Sequence, residues 1–185
     1  MIDSGDLRKG ITVEIDGVLY QVLDFQHLKL GRGSAQVRLK LKDIRAGHIT
    51  DRTVQAGTKF SRARVERQPA QYLYADGDLH HFMNSETYDQ IVLNTEQLGD
   101  ALQYLSENAT CQLLTHNDQA VGVELSAAVE LKVAQTDSWV RGDTAQGGTK
   151  PARLETGLIV QVPLFINTGD LVKVDTRTGE YLGKA

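Results

Sequence analysis

Short runs in which every second residue is apolar, separated by tight-turn sequences, recur along this chain and leave little room for helices. Ile11, Val13 and Ile15 alternate with polar residues, Asp16-Gly17 supplies a two-residue hairpin turn, and Val18, Tyr20 and Val22 resume the alternation on the return strand. Val37, Leu39 and Leu41 alternate with Arg38, Lys40 and Lys42, which predicts a strand with one apolar face and one wholly basic face. Further strands are predicted at 71–74 and 79–83, at 111–115 and 121–125 around Asn117-Asp118, and at 129–133, 158–162, 171–174 and 180–182. Helical spacing occurs only at Leu98, Ala101, Leu102 and Leu105, where Asn94 followed three residues later by Gln97 predicts a capping box.

Many short strands, frequent turns and one short helix indicate an all-β protein built of small barrels, each needing about 60 residues. Three such barrels in series fit a chain of 185 residues. Charge divides the chain in the same way. Residues 1–63 hold 11 Lys and Arg against 7 Asp and Glu; residues 64–127 hold 2 against 10; residues 128–185 hold 7 against 7. The expected domains are therefore 1–63, 64–127 and 128–185, with the helix in the middle one. The net charge of −4 argues against a protein held to nucleic acid by bulk positive charge. Resolved by segment, it leaves a basic first domain that can touch a polyanion and an acidic middle that is held away from it or faces a basic partner.

Several classes of chemistry are disfavoured. One cysteine, Cys111, removes any disulfide framework or cysteine-rich zinc site, and on a strand it shares a face with Leu113, as a buried structural thiol does. His80 and His81 are adjacent, so on a strand they point to opposite faces, one at the surface and one half-buried, and cannot converge on a metal. The other histidines are dispersed, and neither a nucleophile elbow nor a dinucleotide fingerprint is present. The expectation is a protein without enzymatic activity, metal or cofactor. The amino end lacks a basic region followed by an apolar stretch, and no run near 18 apolar residues occurs, so a cytoplasmic protein with no membrane partner is expected.

Two segments carry the candidate chemistry. Lys29-Leu30-Gly31-Arg32-Gly33-Ser34 lies ahead of the basic strand as a hairpin tip, where Gly31 and Gly33 free the backbone on both sides of Arg32 and push one cation outward. A phosphate cradle needs a following helix, and here a strand follows. Arg38, Lys40 and Lys42 recur at roughly 6.6 Å, a spacing that suits a row of backbone phosphates in a folded RNA. The second segment, residues 140–151, is a glycine-rich polar loop whose length and density of donors exceed what a plain connection needs.

The tip, the segment Tyr72-Leu73-Tyr74-Ala75-Asp76-Gly77 with Phe82-Met83-Asn84, and the run Thr156-Gly157-Leu158-Ile159-Val160-Gln161-Val162-Pro163-Leu164-Phe165 through Gly179-Glu180-Tyr181 resemble, in order, the bacterial elongation factor P family. The resemblance covers nearly the whole chain. It implies an SH3-like (KOW-type) barrel followed by two OB-fold barrels. It also implies a translation factor that binds the 70S ribosome between the peptidyl and exit sites, steadies peptidyl-tRNA and relieves stalling at consecutive prolines. By that resemblance Arg32 reaches the end of the peptidyl-tRNA, with Lys29, Gly31 and Gly33 shaping the tip. Gly142, Asp143, Thr144, Gly148 and Lys150 belong to a loop beside mRNA at the exit site, and Tyr181 faces the small subunit. Arg38, Lys40 and Lys42 are additional candidates for rRNA or tRNA phosphate.

Arg-tipped members occur both rhamnosylated and bare, so a modifying enzyme acting on Arg32 joins the partners the resemblance implies. Leu30 stands where many members have Pro, and many have Lys where this chain has Arg32. Ser126-Ala127-Ala128 stands where paired prolines are usual, as in the elongation-factor-P-like paralogue, whereas Gly142-Asp143-Thr144 and Lys150 favour the factor itself. The other alternative, a generic RNA-binding OB-fold protein, calls for stacking aromatics. The chain has 6 Tyr, 4 Phe and 1 Trp, none of them in the tip or between Val140 and Pro151.

Overall fold

The computed structural model describes residues 1–28, 35–138 and 148–185. The strands, in chain order, are β1 (Ile2–Asp3), β2 (Thr12–Ile15), β3 (Val18–Leu28), β4 (Gln36–Asp43), β5 (Ile49–Gln55), β6 (Lys59–Ala63), β7 (Glu66–Asp76), β8 (Leu79–Asn84), β9 (Gln90–Asn94), β10 (Thr110–His116), β11 (Gln119–Glu124), β12 (Ala128–Thr136), β13 (Thr149–Leu154), β14 (Ile159–Pro163), β15 (Leu171–Asp175) and β16 (Tyr181–Lys184). They form three sheets, ordered β1-β6-β2-β3-β4-β5, β11-β10-β7-β8-β9 and β14-β13-β12-β15-β16. The all-β expectation is met: three sheets and one short helix make up the regular structure of the described residues.

Each sheet turns on one long strand carrying a register shift: β3 between Val22 and Asp24, β7 between Tyr72 and Tyr74, and β12 between Val133 and Gln135. An extra residue at such a point bends the strand and sharpens its twist, which lets one strand serve both halves of a small curled sheet. β3 pairs with β2 on one side and β4 on the other, joined to β2 by the Asp16-Gly17 turn with both residues at positive φ, 55° and 79°. Inside the first sheet Leu7, Val13, Tyr20, Val22, Val37, Leu39, Leu41 and Phe60 form one buried cluster. Inside the third, Leu131, Val133, Leu154, Val162, Ile166, Val172 and Val174 are buried with their neighbours. Each fully buried aliphatic or aromatic side chain contributes about 1.5–3 kcal/mol.

The predicted capping box is present. Asn94 Oδ1 accepts from Gln97 N at 2.8 Å, and Asn94 N donates to Gln97 Oε1 at 2.9 Å. The helix it starts, α1 (Thr95–Leu98), is shorter than the periodicity suggests and passes into a 3-10 turn at Gly99–Tyr104. Gly99 is the cause: it closes α1 with φ 51° and ψ −133°. Of the two adjacent histidines, His80 is fully buried, against the half-burial expected, with Nδ1 3.2 Å from the Tyr72 hydroxyl. His81 is half-buried and stacks on Tyr74 at a ring separation of 4.5 Å.

The chain divides into two compact units, Met1–Gln68 with Leu93–Gly99 and Leu113–Val123, and Pro69–Val92 with Asp100–Gln112 and Glu124–Ala185. In the first unit a separate cluster explains the assignment. Leu19, in phase with the polar side of β3, is buried with Ala63, Leu114 and Val121 and is flanked by Ile44 and Val65. Two backbones come close beside it: a side chain at Gly99 would meet the Ala46 carbonyl oxygen at 2.9 Å, and one at Gly122 would meet that of Ile44 at 3.1 Å. In the second unit Tyr104 packs on the third-sheet core, Thr156 Oγ1 donates to the Gln103 carbonyl at 2.6 Å, and a side chain at Gly179 would meet the Tyr104 hydroxyl at 3.2 Å.

Gly122→Val is expected to lower unfolding free energy by about 1–3 kcal/mol, because the added carbons press on the Ile44 and Gln97 carbonyls; urea denaturation measures it, and an unchanged midpoint would contradict the close approach. Burial pushes the His80 imidazole below its ordinary value. A histidine that resists protonation when folded favours the folded state fully above the unfolded pKa, about 6.5, and loses that advantage as pH falls from there toward the folded value. Stability measured between pH 7.5 and 5.5 should therefore fall on acidification, about these bounds, and fall less in His80→Gln, which keeps a partner for Tyr72 and cannot titrate.

Candidate nucleic-acid interface

The basic strand β4 is buried and exposed in strict alternation, with Val37, Leu39 and Leu41 in the core and Arg38, Lys40 and Lys42 facing solvent. It is central to its hairpins, with β3 on one side and β5 on the other. The last described pair between β3 and β4 is Leu28 opposite Gln36. Lys29, Gly31, Arg32 and Gly33, the tip, lie outside the described residues, as do Gly142, Asp143 and Thr144 of the second loop.

The surface around β4 differs from the wholly basic face that the strand sequence suggests, because neighbouring strands place acids in the gaps. Lys40 stands opposite Asp24 of β3 and opposite Asp51 of β5, at the inter-strand spacing of about 4.8 Å. Arg38 Nη2 reaches diagonally to Asp51 Oδ2 at 2.9 Å, and Lys9 Nζ contacts Asp24 Oδ1 at 2.9 Å. The result is an alternating row, Lys9, Asp24, Lys40, Asp51 and Arg38. The Lys9 hydrogen bond, the Phe25 backbone bond and the nearby Lys40 charge hold the Asp24 carboxyl below its usual range. Lys42 stands outside the row, between Gln21 and the exposed Ile49. A third ion pair, Arg52 Nη1 with Asp16 Oδ2 at 3.1 Å, ties β5 to the Asp16-Gly17 turn, with the Arg52 guanidinium over the Tyr20 ring at 5.5 Å. The hydrogen bond that Arg52 donates to the Asp16 carboxylate raises the Arg52 pKa.

The second candidate segment is shorter than its sequence suggests, since β13 begins at Thr149 and takes in Lys150 and Pro151. Lys150 occupies the inward phase of β13 with Ala152 and Leu154, and it is buried. Its Nζ donates to the Asp137 carbonyl, and its charge contributes to lowering the Asp170 carboxyl below its usual range, behind hydrogen bonds from Asn167 and Lys184. The ammonium therefore joins Asp137 to β13 from within the sheet. Gly148 lies against Leu164, whose Cδ1 would be 3.2 Å from an added side-chain carbon. Tyr181 is half-buried at the start of β16, opposite Val174 and packed on the third-sheet core.

Cys111 is buried on the face expected, and burial pushes its thiol up to about 12. Among the described residues no group of three His, Cys, Asp or Glu side chains could hold a metal ion, and no helix is long and apolar enough to cross a membrane. Sequence reading missed Lys9, Asp24 and Asp51 as partners of the basic strand. Only the cross-strand register sets the two aspartates beside Lys40, their signal being the Asp near the middle of each neighbouring strand, and Lys9 joins them through its ion pair with Asp24.

Lys150→Met is expected to cost about 1.5–3 kcal/mol, the range for a hydrogen bond to a charged group. Thermal unfolding checks it, and full retention of stability would show that the ammonium holds nothing in place.

Three family models match the chain: "Elongation factor P (EF-P) KOW-like domain" over residues 3–60, "Elongation factor P (EF-P) OB domain" over 65–123, and "Elongation factor P, C-terminal" over 129–184. Similar proteins include elongation factor P of Moorella thermoacetica, 54% identical over 185 residues with both chains fully covered. That of Symbiobacterium thermophilum is 53% identical, also with both chains fully covered. That of Pelotomaculum thermopropionicum is 51% identical, with 98% of each chain covered.

Proposed function

This chain belongs to the elongation factor P family and is a translation elongation factor, and on that premise we propose that it binds the ribosome between the peptidyl and exit sites, steadies peptidyl-tRNA and relieves stalling at consecutive prolines. The observation that carries the reading is the β3–β4 hairpin. An exposed row of cations on β4 leads along a rigid, core-backed strand toward Lys29, Gly31, Arg32 and Gly33. In this reading the cations of β4 rest on RNA phosphates and deliver Arg32 to the end of the peptidyl-tRNA.

The physical effect is positional. Proline is a constrained, poor acceptor, so holding the peptidyl-tRNA end in a reactive arrangement lowers the entropic part of the barrier that the ribosome must cross. The factor itself makes and breaks no covalent bond. Domains 1–63, 64–127 and 128–185 divide the work, with the first on tRNA and rRNA. The third presents the segment containing Gly142, Asp143, Thr144 and Gly148 toward mRNA and Tyr181 toward the small subunit, while buried Lys150 holds the Asp137 carbonyl to the start of β13. The acidic middle limits indiscriminate RNA binding by repelling phosphate. Arg32 acts either bare or after modification by a partner enzyme, and the intact mass of the native protein distinguishes the two.

Arg32→Ala is expected to abolish stimulation of a triple-proline reporter in reconstituted translation while leaving thermal stability nearly unchanged; undiminished stimulation would sink the role given to the tip. Replacing Lys40 and Lys42 with glutamine should weaken ribosome binding and reduce its salt dependence by about one to two in log–log slope, and an unchanged slope would count against phosphate contact by β4.

A further inference from the structure

We infer that Asp24 and Asp51 are specificity-determining residues that restrain the basic strand, weakening its grip on RNA that does not present phosphates in register with Arg38, Lys40 and Lys42. This inference rests on the phosphate-binding reading of β4. The two aspartates come from different strands, yet the register sets both beside Lys40, one on each side. Asp51 also holds the Arg38 guanidinium at 2.9 Å, and Asp24 holds Lys9 at 2.9 Å. The side chains of the Arg38–Asp51 pair are both about half exposed, 54% and 48%, so a ligand arriving from solvent meets the cation and its acid together.

A phosphate that approaches Arg38 or Lys40 must displace a carboxylate or sit beside it. Displacement forfeits an existing ion pair, and coexistence places two like charges within a few ångströms. Either cost is repaid only when several phosphates engage cations at once, because each contact adds its own release of counterions. A row of phosphates matched to the strand spacing meets that condition, and a loosely held or irregular polyanion does not. Lys42, flanked by Gln21 and Ile49 in place of acids, is the cation positioned to make first contact. The aspartates would then act through the cations they neighbour, without touching the reacting atoms.

The experiment uses the full chain and a short fluorescent unstructured single-stranded RNA, an irregular polyanion, followed by anisotropy across a salt series. Compared are the parent protein, Asp24→Asn, Asp51→Asn, the double variant, and Asp118→Asn, an exposed turn acid whose change alters net charge equally. Each of Asp24→Asn and Asp51→Asn is expected to tighten binding about two- to fivefold at low salt, the effect of losing one exposed charge pair. The double variant should steepen the dependence of log affinity on log salt by about one, with Asp118→Asn close to the parent. Unchanged affinity in the Asp24 and Asp51 variants, or an equal gain in Asp118→Asn, overturns the inference. Lys40→Gln with Lys42→Gln, run beside them, separates the two levels. If those variants lose RNA affinity while the aspartate variants gain none, the restraint fails and the phosphate reading stands. If the lysine variants lose nothing, the phosphate reading itself fails.

Discussion

Leu19 is the side chain on which the organisation of the first compact unit depends. Its neighbours in β3, Tyr20 and Val22, fill the first-sheet core, and Leu19 points the opposite way into a second cluster with Ala63, Leu114 and Val121. A sheet of this size buries too little apolar surface by itself to be robust, so burying both of its faces matters. The close backbone approaches at Gly99 and Gly122 follow from that packing, since neither position leaves room for a Cβ without displacing a carbonyl. Gly99 also ends α1. One residue thus stops the helix and admits a neighbouring backbone, which is why the helical stretch is so short.

Electrostatics in this protein is set by register more than by composition. The first 63 residues carry a surplus of four positive charges, but those charges do not form an unbroken field. Antiparallel pairing puts Asp24 and Asp51 beside Lys40, and it turns a stripe of like charges into an alternating row. The third sheet shows the same principle inward. Lys150 follows the strand period into the interior and is tolerated there because the Asp137 carbonyl accepts from its ammonium and Asp170 lies near enough to feel its charge.

What the sequence made legible was local. The Asp16-Gly17 hairpin, the alternation of β4, the Asn94–Gln97 capping box and the burial of Cys111 each depend on a few adjacent residues, and each is present. Strands β1, β5, β6, β9 and β13 were not legible. In β5 the inward positions are Thr50, Arg52 and Val54, only half-buried, so the apolar alternation is diluted. In β13 a lysine and a proline at the start resemble loop, although Lys150 is in phase with Ala152 and Leu154. Leu19 carried a signal, an apolar residue in the polar phase of a strand, but its partners Leu114 and Val121 lie about a hundred positions away and no local rule finds them. The same holds for the acids beside Lys40, because cross-strand neighbours are fixed by bulges such as the one between Val22 and Asp24. That single extra residue decides which β3 side chains share a face with β4.

The burial of Cys111 has a practical corollary for following this factor at work. It is the chain's one cysteine, and its thiol is both enclosed and, with a pKa pushed up to about 12, almost entirely protonated at neutral pH. The native surface is therefore silent toward maleimide chemistry. A cysteine introduced at an exposed position such as Gln55 would take a fluorophore at one defined point without first removing the native residue. The core would stay intact, and arrival and departure of the labelled protein could be timed one molecule at a time.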